Sequence, residues 1–183
     1  MKKIACMLAD GFEETEALAT VDILRRAGFK VDLISIDIEI VRGSHDIKVV
    51  SDRFIGEDLI DYDMIFLPGG LPGATNLKAD DRVLDLIRQF DKKGKWIAAI
   101  CAAPSVLAAA GIIKHRKLTS YPISATDQTY DEAEYLEDLV VIDGNLVTSR
   151  GVATVPEFAF TLVNLLGGDA PKLHRAMLFN LLD

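Results

Sequence analysis

Cysteine is scarce in this sequence. Cys6 and Cys101 are the two in 183 residues, too few for a disulfide framework and without the spacing of a metal-ligand set. Basic clusters are scarce as well. Lys92–Lys95 and His115–Lys117 are the densest, and the formal net charge is -8, which argues against a nucleic-acid partner and suits a well-solvated surface. No apolar stretch approaches the roughly 20 residues that cross a bilayer, so no membrane partner is expected. The opening M-K-K-I-A-C-M-L-A resembles a short signal segment, but Asp10, Glu13 and Glu14 follow too soon for one. It reads as a first strand, and the protein is expected in the cytoplasm. No Ser/Gly/Pro-rich linker or repeat divides the chain, so residues 1–183 are expected to form one domain. Nor is there a cofactor motif: Pro68-Gly69-Gly70-Leu71-Pro72-Gly73 is glycine-rich but fits neither the Walker nor the dinucleotide spacing.

What is present centres on Trp96 to Ala110, W-I-A-A-I-C-A-A-P-S-V-L-A-A-A. Trp96 to Ile100 is a short apolar run after the turn-like Lys92-Lys93-Gly94-Lys95, which reads as a strand buried on both faces. Pro104 suits the first turn of a helix. Cys101 sits at the junction. A residue in so sharp a strand-to-helix turn has its side chain pushed out above the sheet, and its neighbours two places away must be small, as Ala99 and Ala103 are. This is the logic of the hydrolase nucleophile elbow with cysteine for serine. The helix-start amides are expected to lower the thiol pKa. A cysteine in an apolar run is ordinarily an inert core residue. The elbow reverses that reading for Cys101, whereas Cys6 reads as strand filler.

Along the chain, Lys3 to Ala9 reads as a strand, and Glu13-Glu14 open a helix that stops at Gly28 after Arg25-Arg26, in keeping with the helix dipole. Ala17, Leu18, Val21 and Leu24 form one apolar stripe. Ile23 falls on the far side, so a partner subunit is expected to cover this helix a second time. Lys30 to Ile36 completes a strand-helix-strand unit and implies a parallel sheet. Ile38-Val41 and Ile47-Val50 flank Arg42-Gly43-Ser44 as a hairpin, and Met64 to Leu67 is another buried strand. A helix covers about Asp80 to Gln89 or Lys93. Lys117 to Ser120 reads as a brief strand and Tyr130 to Leu136 as an acidic, exposed turn of helix. Leu139–Ile142 and Leu146–Ser149 flank Asp143-Gly144-Asn145 as a second hairpin. Val155 to Leu166 and Pro171 to about Phe179 are the last helices. The sum is an α/β fold: a flavodoxin-like three-layer α/β/α sandwich with a mostly parallel central sheet and a nucleophile elbow.

In such a sheet, sites gather at the carboxyl ends of strands, and three loops leave such ends: Asp10–Glu16, Pro68–Gly73 and Cys101–Pro104. The Gly69-Gly70 turn can offer backbone N–H groups that, with the Ala102 amide, hold an oxyanion beside the sulfur. Glu13, Glu14 and Glu16 point in three directions on a helix, so at most one or two face Cys101. Spacing alone does not choose among them, and dipole complementarity explains any single one.

The segments A-D-G-F-E-E-T-E-A, L-P-G-G-L-P-G-A-T-N-L, A-A-I-C-A-A-P and L-V-T-S-R-G-V-A-T, in this order over nearly the whole chain, closely resemble the ThiJ/PfpI family, in the branch of the parkinsonism-associated protein deglycase and its bacterial relatives. The resemblance implies a homodimer, formed here through the first helix, whose nucleophile maps onto Cys101. Its protonated partner carboxyl maps onto Glu16, and its oxyanion amides onto Gly70 and Ala102. Tyr121, Gly69 and Arg150 are the expected substrate-pocket residues. One position departs: the family often has T-H-P where this chain reads Ser120-Tyr121-Pro122, and a phenol is a poor base near neutral pH. His45, His115 and His174 are scattered, with surface or capping roles expected.

Two functions are expected to compete. The first is a cofactor-free, cysteine-dependent glyoxalase or deglycase acting on α-oxoaldehydes such as methylglyoxal or on their early adducts on proteins, with Glu16 in acid/base work. The second is a redox-sensing or chaperone-like stress protein in which Cys101 is oxidised to sulfinate. Protease and amidotransferase chemistry is disfavoured. Ala102 stands where protease-like members have histidine, and Arg150 to Glu157 contains no histidine.

Overall fold

The computed structural model describes residues 1–123 and 127–181. Strand β1 (Lys3–Leu8) leads into helix α1 (Glu14–Arg26) and strand β2 (Lys30–Ser35). A hairpin of β3 (Ile40–Arg42) and β4 (Lys48–Val50) stands off the main sheet, and β5 (Arg53–Phe54) returns to its edge. Then come β6 (Met64–Leu67), α2 (Gly73–Ala79), α3 (Asp81–Lys92), β7 (Trp96–Ile100) and α4 (Pro104–Ala110). The remainder holds β8 (Lys117–Leu118), β9 (Glu134–Tyr135), β10 (Val140–Asp143), β11 (Leu146–Ser149), α5 (Val155–Leu165) and α6 (Ala170–Ala176).

The main sheet has seven strands in the order β10-β11-β7-β6-β1-β2-β5, all paired parallel except β10 with β11. Because strand side chains alternate between faces, each central strand feeds two cores. Ile4, Cys6, Met64, Phe66, Ala98 and Ile100 pack with α1 and α5 on one face. Ala5, Met7, Ile65, Leu67, Ile97 and Ala99 pack with α2, α3 and α4 on the other. This is the flavodoxin-like α/β/α sandwich, with sheet residues buried on both sides as parallel strands require. After β1 the chain moves outward to β2 and β5, then crosses back to β6 on the other side of β1. The carboxyl ends of β1 and β6 therefore flank the crevice where sites form in open sheets.

Two expectations need correction. Ile23 is 2% exposed and belongs to the core shared by α1 and α5, while Leu18 is only half-buried. The pairing of α1 with α5 within one chain removes the reason given for a covering subunit at Ile23. Tyr130 to Leu136 is not an exposed helical turn: Tyr130 is buried and stacked on Tyr135, and Glu134–Tyr135 pairs with β8. Two short elements, β5 and α2, went unread.

Candidate active site

The elbow is built by backbone hydrogen bonds. Cys101 N–H donates to the Ser149 carbonyl at 3.0 Å, which prolongs the β7–β11 ladder, and Ala103 N–H turns back to the Ile100 carbonyl at 3.0 Å. Between them Cys101 has φ +61°, a left-handed conformation that non-glycine residues seldom adopt and that collects at functional sites. Pro104 opens α4 directly behind it. The backbone amides of Gly70 and Ala102 act on the sulfur in the sense that favours thiolate. The Tyr121 N–H donates to the Cys101 carbonyl at 2.9 Å, so the segment after β8 is tied to the elbow by its main chain. The Tyr121 side chain is 60% exposed.

Glu16 enters from the first turn of α1. Glu13 caps that helix, its Oε2 accepting from Glu16 N–H at 2.6 Å, and the turn carries the Glu16 side chain to full burial. Its Oε2 accepts from Gly69 N–H at 2.9 Å. Its Oε1 has no hydrogen-bond partner among the described residues, and the carboxyl neighbours the Cys101 thiol. A side chain at Gly69 would start 2.6 Å from both Cys101 Cβ and Glu16 Oε2, so only glycine lets the three loops meet.

Burial raises the Glu16 carboxyl to about 7, helped by the Glu13 charge and opposed by the Cys101 and Gly69 hydrogen bonds. The Cys101 thiol is also raised, to about 12, first by burial and then by Glu16, against the Ala102 and Gly70 amides. The expected lowering of the thiol pKa is thus overturned: the helix-start amides are present, but desolvation and a neighbouring acid outweigh them. Below about 7 the carboxyl carries a proton, and above it the carboxylate is an acceptor facing a thiol that keeps its own. Cys6 lies fully buried in β1, its thiol pushed by burial above the ordinary range.

Two residues along, Glu14 is 4% exposed and faces the other way, into the β3–β4 hairpin. Its Oε1 accepts from His45 N–H at 2.6 Å, and its Oε2 from the Ser44 hydroxyl at 3.2 Å, with His45 Nδ1 2.8 Å away. Burial alone would raise this carboxyl, but hydrogen bonds from the His45 ring and backbone and from Ile47 N–H lower it to about 2. Glu13, Glu14 and His45 each place one atom within 4.8 Å of the others, and the hairpin already occupies both Glu14 oxygens.

These groups line a cavity of about 590 Å³ walled by Glu16, Gly70, Cys101, Tyr121, Arg150 and His45, with Leu139 and Val152 to Thr154 completing it. Of the seven residues expected from the sequence, Cys101, Glu16, Gly70, Tyr121 and Arg150 line the cavity, and Ala102 abuts it through its amide. Gly69 is the seventh and forms the close approach behind them. Arg150 Nη1 is buried with no hydrogen-bond partner among the described residues. His45 was missed, because no spacing links the hairpin to the elbow. A slightly larger cavity, about 660 Å³ beside Asp37 and Asp80, holds no nucleophile, and Arg82 pairs with both acids at 3.1 and 2.5 Å.

Fold and site together define an α/β sandwich that carries a strained cysteine on a strand-to-helix elbow beside a buried glutamate. The chain belongs to the DJ-1/PfpI family, which it matches over residues 2–165. It is 41% identical to protein dj-1beta of Drosophila melanogaster over 170 residues, covering 91% of this chain and 90% of the relative. The crystal structure of that Drosophila protein superposes with a TM-score of 0.90 over 97% of each chain at 37% identity. A Bacillus subtilis relative described as a putative cysteine protease, YraA, is 34% identical over 169 residues, covering 90% of this chain and 98% of its own. A structure described as oxidised Toxoplasma gondii DJ-1 superposes with a TM-score of 0.88 at 33% identity, over 97% of this chain and 98% of that one. Among the described residues, no helix is long and apolar enough to cross a membrane.

Proposed function

We propose that the protein is a cofactor-free, cysteine-dependent enzyme that converts α-oxoaldehydes such as methylglyoxal, free or as early adducts on proteins, to the corresponding 2-hydroxy acids. The observation that carries this reading is the fully buried Glu16 carboxyl beside Cys101, with Oε1 unpaired and burial raising the group to about 7. A group titrating there is suited to take and return a proton near neutral pH. As the sulfur attacks the aldehyde carbon, Glu16 takes the thiol proton and the carbonyl electron pair moves to oxygen, which faces the Gly70 and Ala102 amides. Return of the proton gives a hemithioacetal. Transfer of its carbon-bound hydrogen, as a proton, to the adjacent carbonyl carbon through an enediol gives a thioester, and water releases lactate and the thiol. No oxidant or reductant is needed, since the aldehyde is oxidised at the expense of its own ketone.

The test is lactate formation from methylglyoxal by the protein and by Cys101→Ala. The reading expects turnover that falls to background in the variant, and equal traces from both would overturn it. A second reading draws on the oxidised relative: Cys101 converted to sulfinate by peroxide, with a protonated Glu16 donating to one sulfinate oxygen. Mass spectrometry after mild peroxide, showing two oxygens gained at Cys101 and none at Cys6, supports that role. The two readings use the same residues and exclude each other only where the oxidised protein retains full turnover.

A further inference from the structure

His45 is the one histidine of three that lines the Cys101 cavity. His115 sits in the turn before β8, and His174 is packed between Phe160 and Phe179. The hairpin loop that carries His45 is stapled to the entry of α1: Ser44 N–H donates to the Phe12 carbonyl at 2.8 Å, Gly11 N–H to the Arg42 carbonyl at 2.7 Å, and Arg42 N–H to Asp10 Oδ1 at 2.8 Å. Gly43 lies over the Glu14 carboxylate so closely that a Cβ there would stand 2.3 Å from Oε1. The ring is held by that carboxylate. Since an ionised carboxylate only accepts, the hydrogen of their 2.8 Å contact belongs to Nδ1. Nε2 is then the nitrogen free to meet a ligand, and the side chain is 72% exposed at the open end of the cavity whose buried end holds Glu16.

We propose that His45, oriented by Glu14, is the acid that protonates the ketone oxygen of the thiol-bound substrate. The proposal rests on the α-oxoaldehyde reading of the Cys101 site. With the aldehyde carbon bonded to sulfur beside Glu16, the adjacent ketone extends away from the elbow. Glu16 takes the proton from the sulfur-bearing carbon, and that bonding pair becomes the carbon–carbon double bond. The ketone π pair moves to oxygen and takes the Nε2 proton of the imidazolium. In the collapse, Glu16 returns its proton to the former ketone carbon, and His45 recovers one from the hydroxyl on the sulfur-bearing carbon as the thioester carbonyl forms. Both groups end as they began.

This role needs the imidazolium, and the surroundings favour it: the hydrogen bond and charge of Glu14, with the Glu13 charge, raise the His45 pKa. The other charged or titratable groups around it are the Arg42–Asp46 pair on the hairpin itself and, across the cavity, Glu16, Cys101, Tyr121 and Arg150. The wild-type pH profile of kcat/KM for lactate is therefore expected to rise as Glu16 ionises and fall as His45 deprotonates. His45→Asn retains an amide that can donate to Glu14 but has no titratable proton to give the substrate. It should lower kcat/KM by about 100-fold, the low end for general acid catalysis, and abolish the descending limb. Its rate of Cys101 alkylation by iodoacetamide should stay unchanged, and His115→Asn should behave as wild type. Glu14→Gln, which removes the counter-charge, should move the descending limb to lower pH. A His45→Asn protein with wild-type turnover, or with reduced turnover but an unaltered descending limb, overturns the proposal while leaving the Cys101 reading intact. Absence of Cys101-dependent lactate from the wild type overturns that underlying reading and this role with it.

Discussion

Glu14 and Glu16 are the same residue type, two positions apart on the first turn of one helix, and both are almost wholly buried. Glu14 faces the hairpin, accepts from Ser44, and is lowered to about 2 by His45 and Ile47; Glu16 faces the elbow and is raised to about 7, with a single backbone amide and a thiol for company. Burial pushes both in the same direction, so the number of donors decides the outcome. A carboxylate surrounded by N–H and O–H groups is a fixed charge that organises a loop. One left short of donors beside a sulfur becomes a proton carrier at neutral pH. Environments that drive two carboxyls apart in this way mark a division of roles.

The largest expected effect is on rate. Glu16→Gln keeps an acceptor for Gly69 N–H but can neither take nor return a proton, so lactate kcat/KM should fall by about 10²–10⁴-fold. An activity within about threefold of wild type would break the distinction between the two carboxyls, since general base catalysis is worth far more than that.

Stability should respond with opposite signs. Glu14, lowered in the fold, contributes stability that is present above its unfolded pKa and lost as pH falls towards about 2. Glu16, raised in the fold, contributes stability that is present below its unfolded pKa and is lost as pH rises to about 7. At pH near 8, Glu14→Gln should therefore destabilise by about 1–3 kcal/mol through lost charge-assisted hydrogen bonds. Glu16→Gln should stabilise by about 1–3 kcal/mol by removing a desolvated charge. Urea unfolding of both variants checks this, and two shifts of the same sign would contradict it. The smallest effect belongs to Tyr121→Phe: with the ring mostly exposed and tied to the elbow through its main chain, turnover should stay within about twofold of wild type, since among the described residues the hydroxyl makes no hydrogen bond whose loss would cost more.

How legible this was in the sequence depended on how local the cause is. Met64–Leu67, Trp96–Ile100 and Leu146–Ser149 have the same boundaries in the sequence and in the structure, the first two because strands buried on both faces leave unbroken apolar runs and the third because the Asp143-Gly144-Asn145 turn marks where it starts. Arg53–Phe54 has two residues at a sheet edge, and Gly73–Ala79 starts a helix out of a glycine-rich loop; neither is long enough to show a period. The exchange of Leu18 and Ile23 arises because α1 packs on α5 as well as on the sheet, which widens its buried face beyond a single stripe. At the site, the elbow was readable because Cys101 and its alanine neighbours are adjacent in sequence. The raised thiol was not, because burial by distant loops outweighs the local amides. His45 lay outside any pattern: a folded hairpin, docked over Glu14 through Gly43, brings it to the cavity.

The central claim, that Glu16 is a proton carrier poised near neutral pH while Glu14 is a permanent charge, is tested most directly by infrared difference spectroscopy of the protonated carboxyl band across a pH titration. The expected result is one buried carboxyl that remains protonated at pH near 6, ionises through about 7, persists in Glu14→Gln and is missing from Glu16→Gln. A wild-type protein whose carboxyls have all ionised below about pH 5, as ordinary glutamates do, or a band that survives in Glu16→Gln, would contradict it.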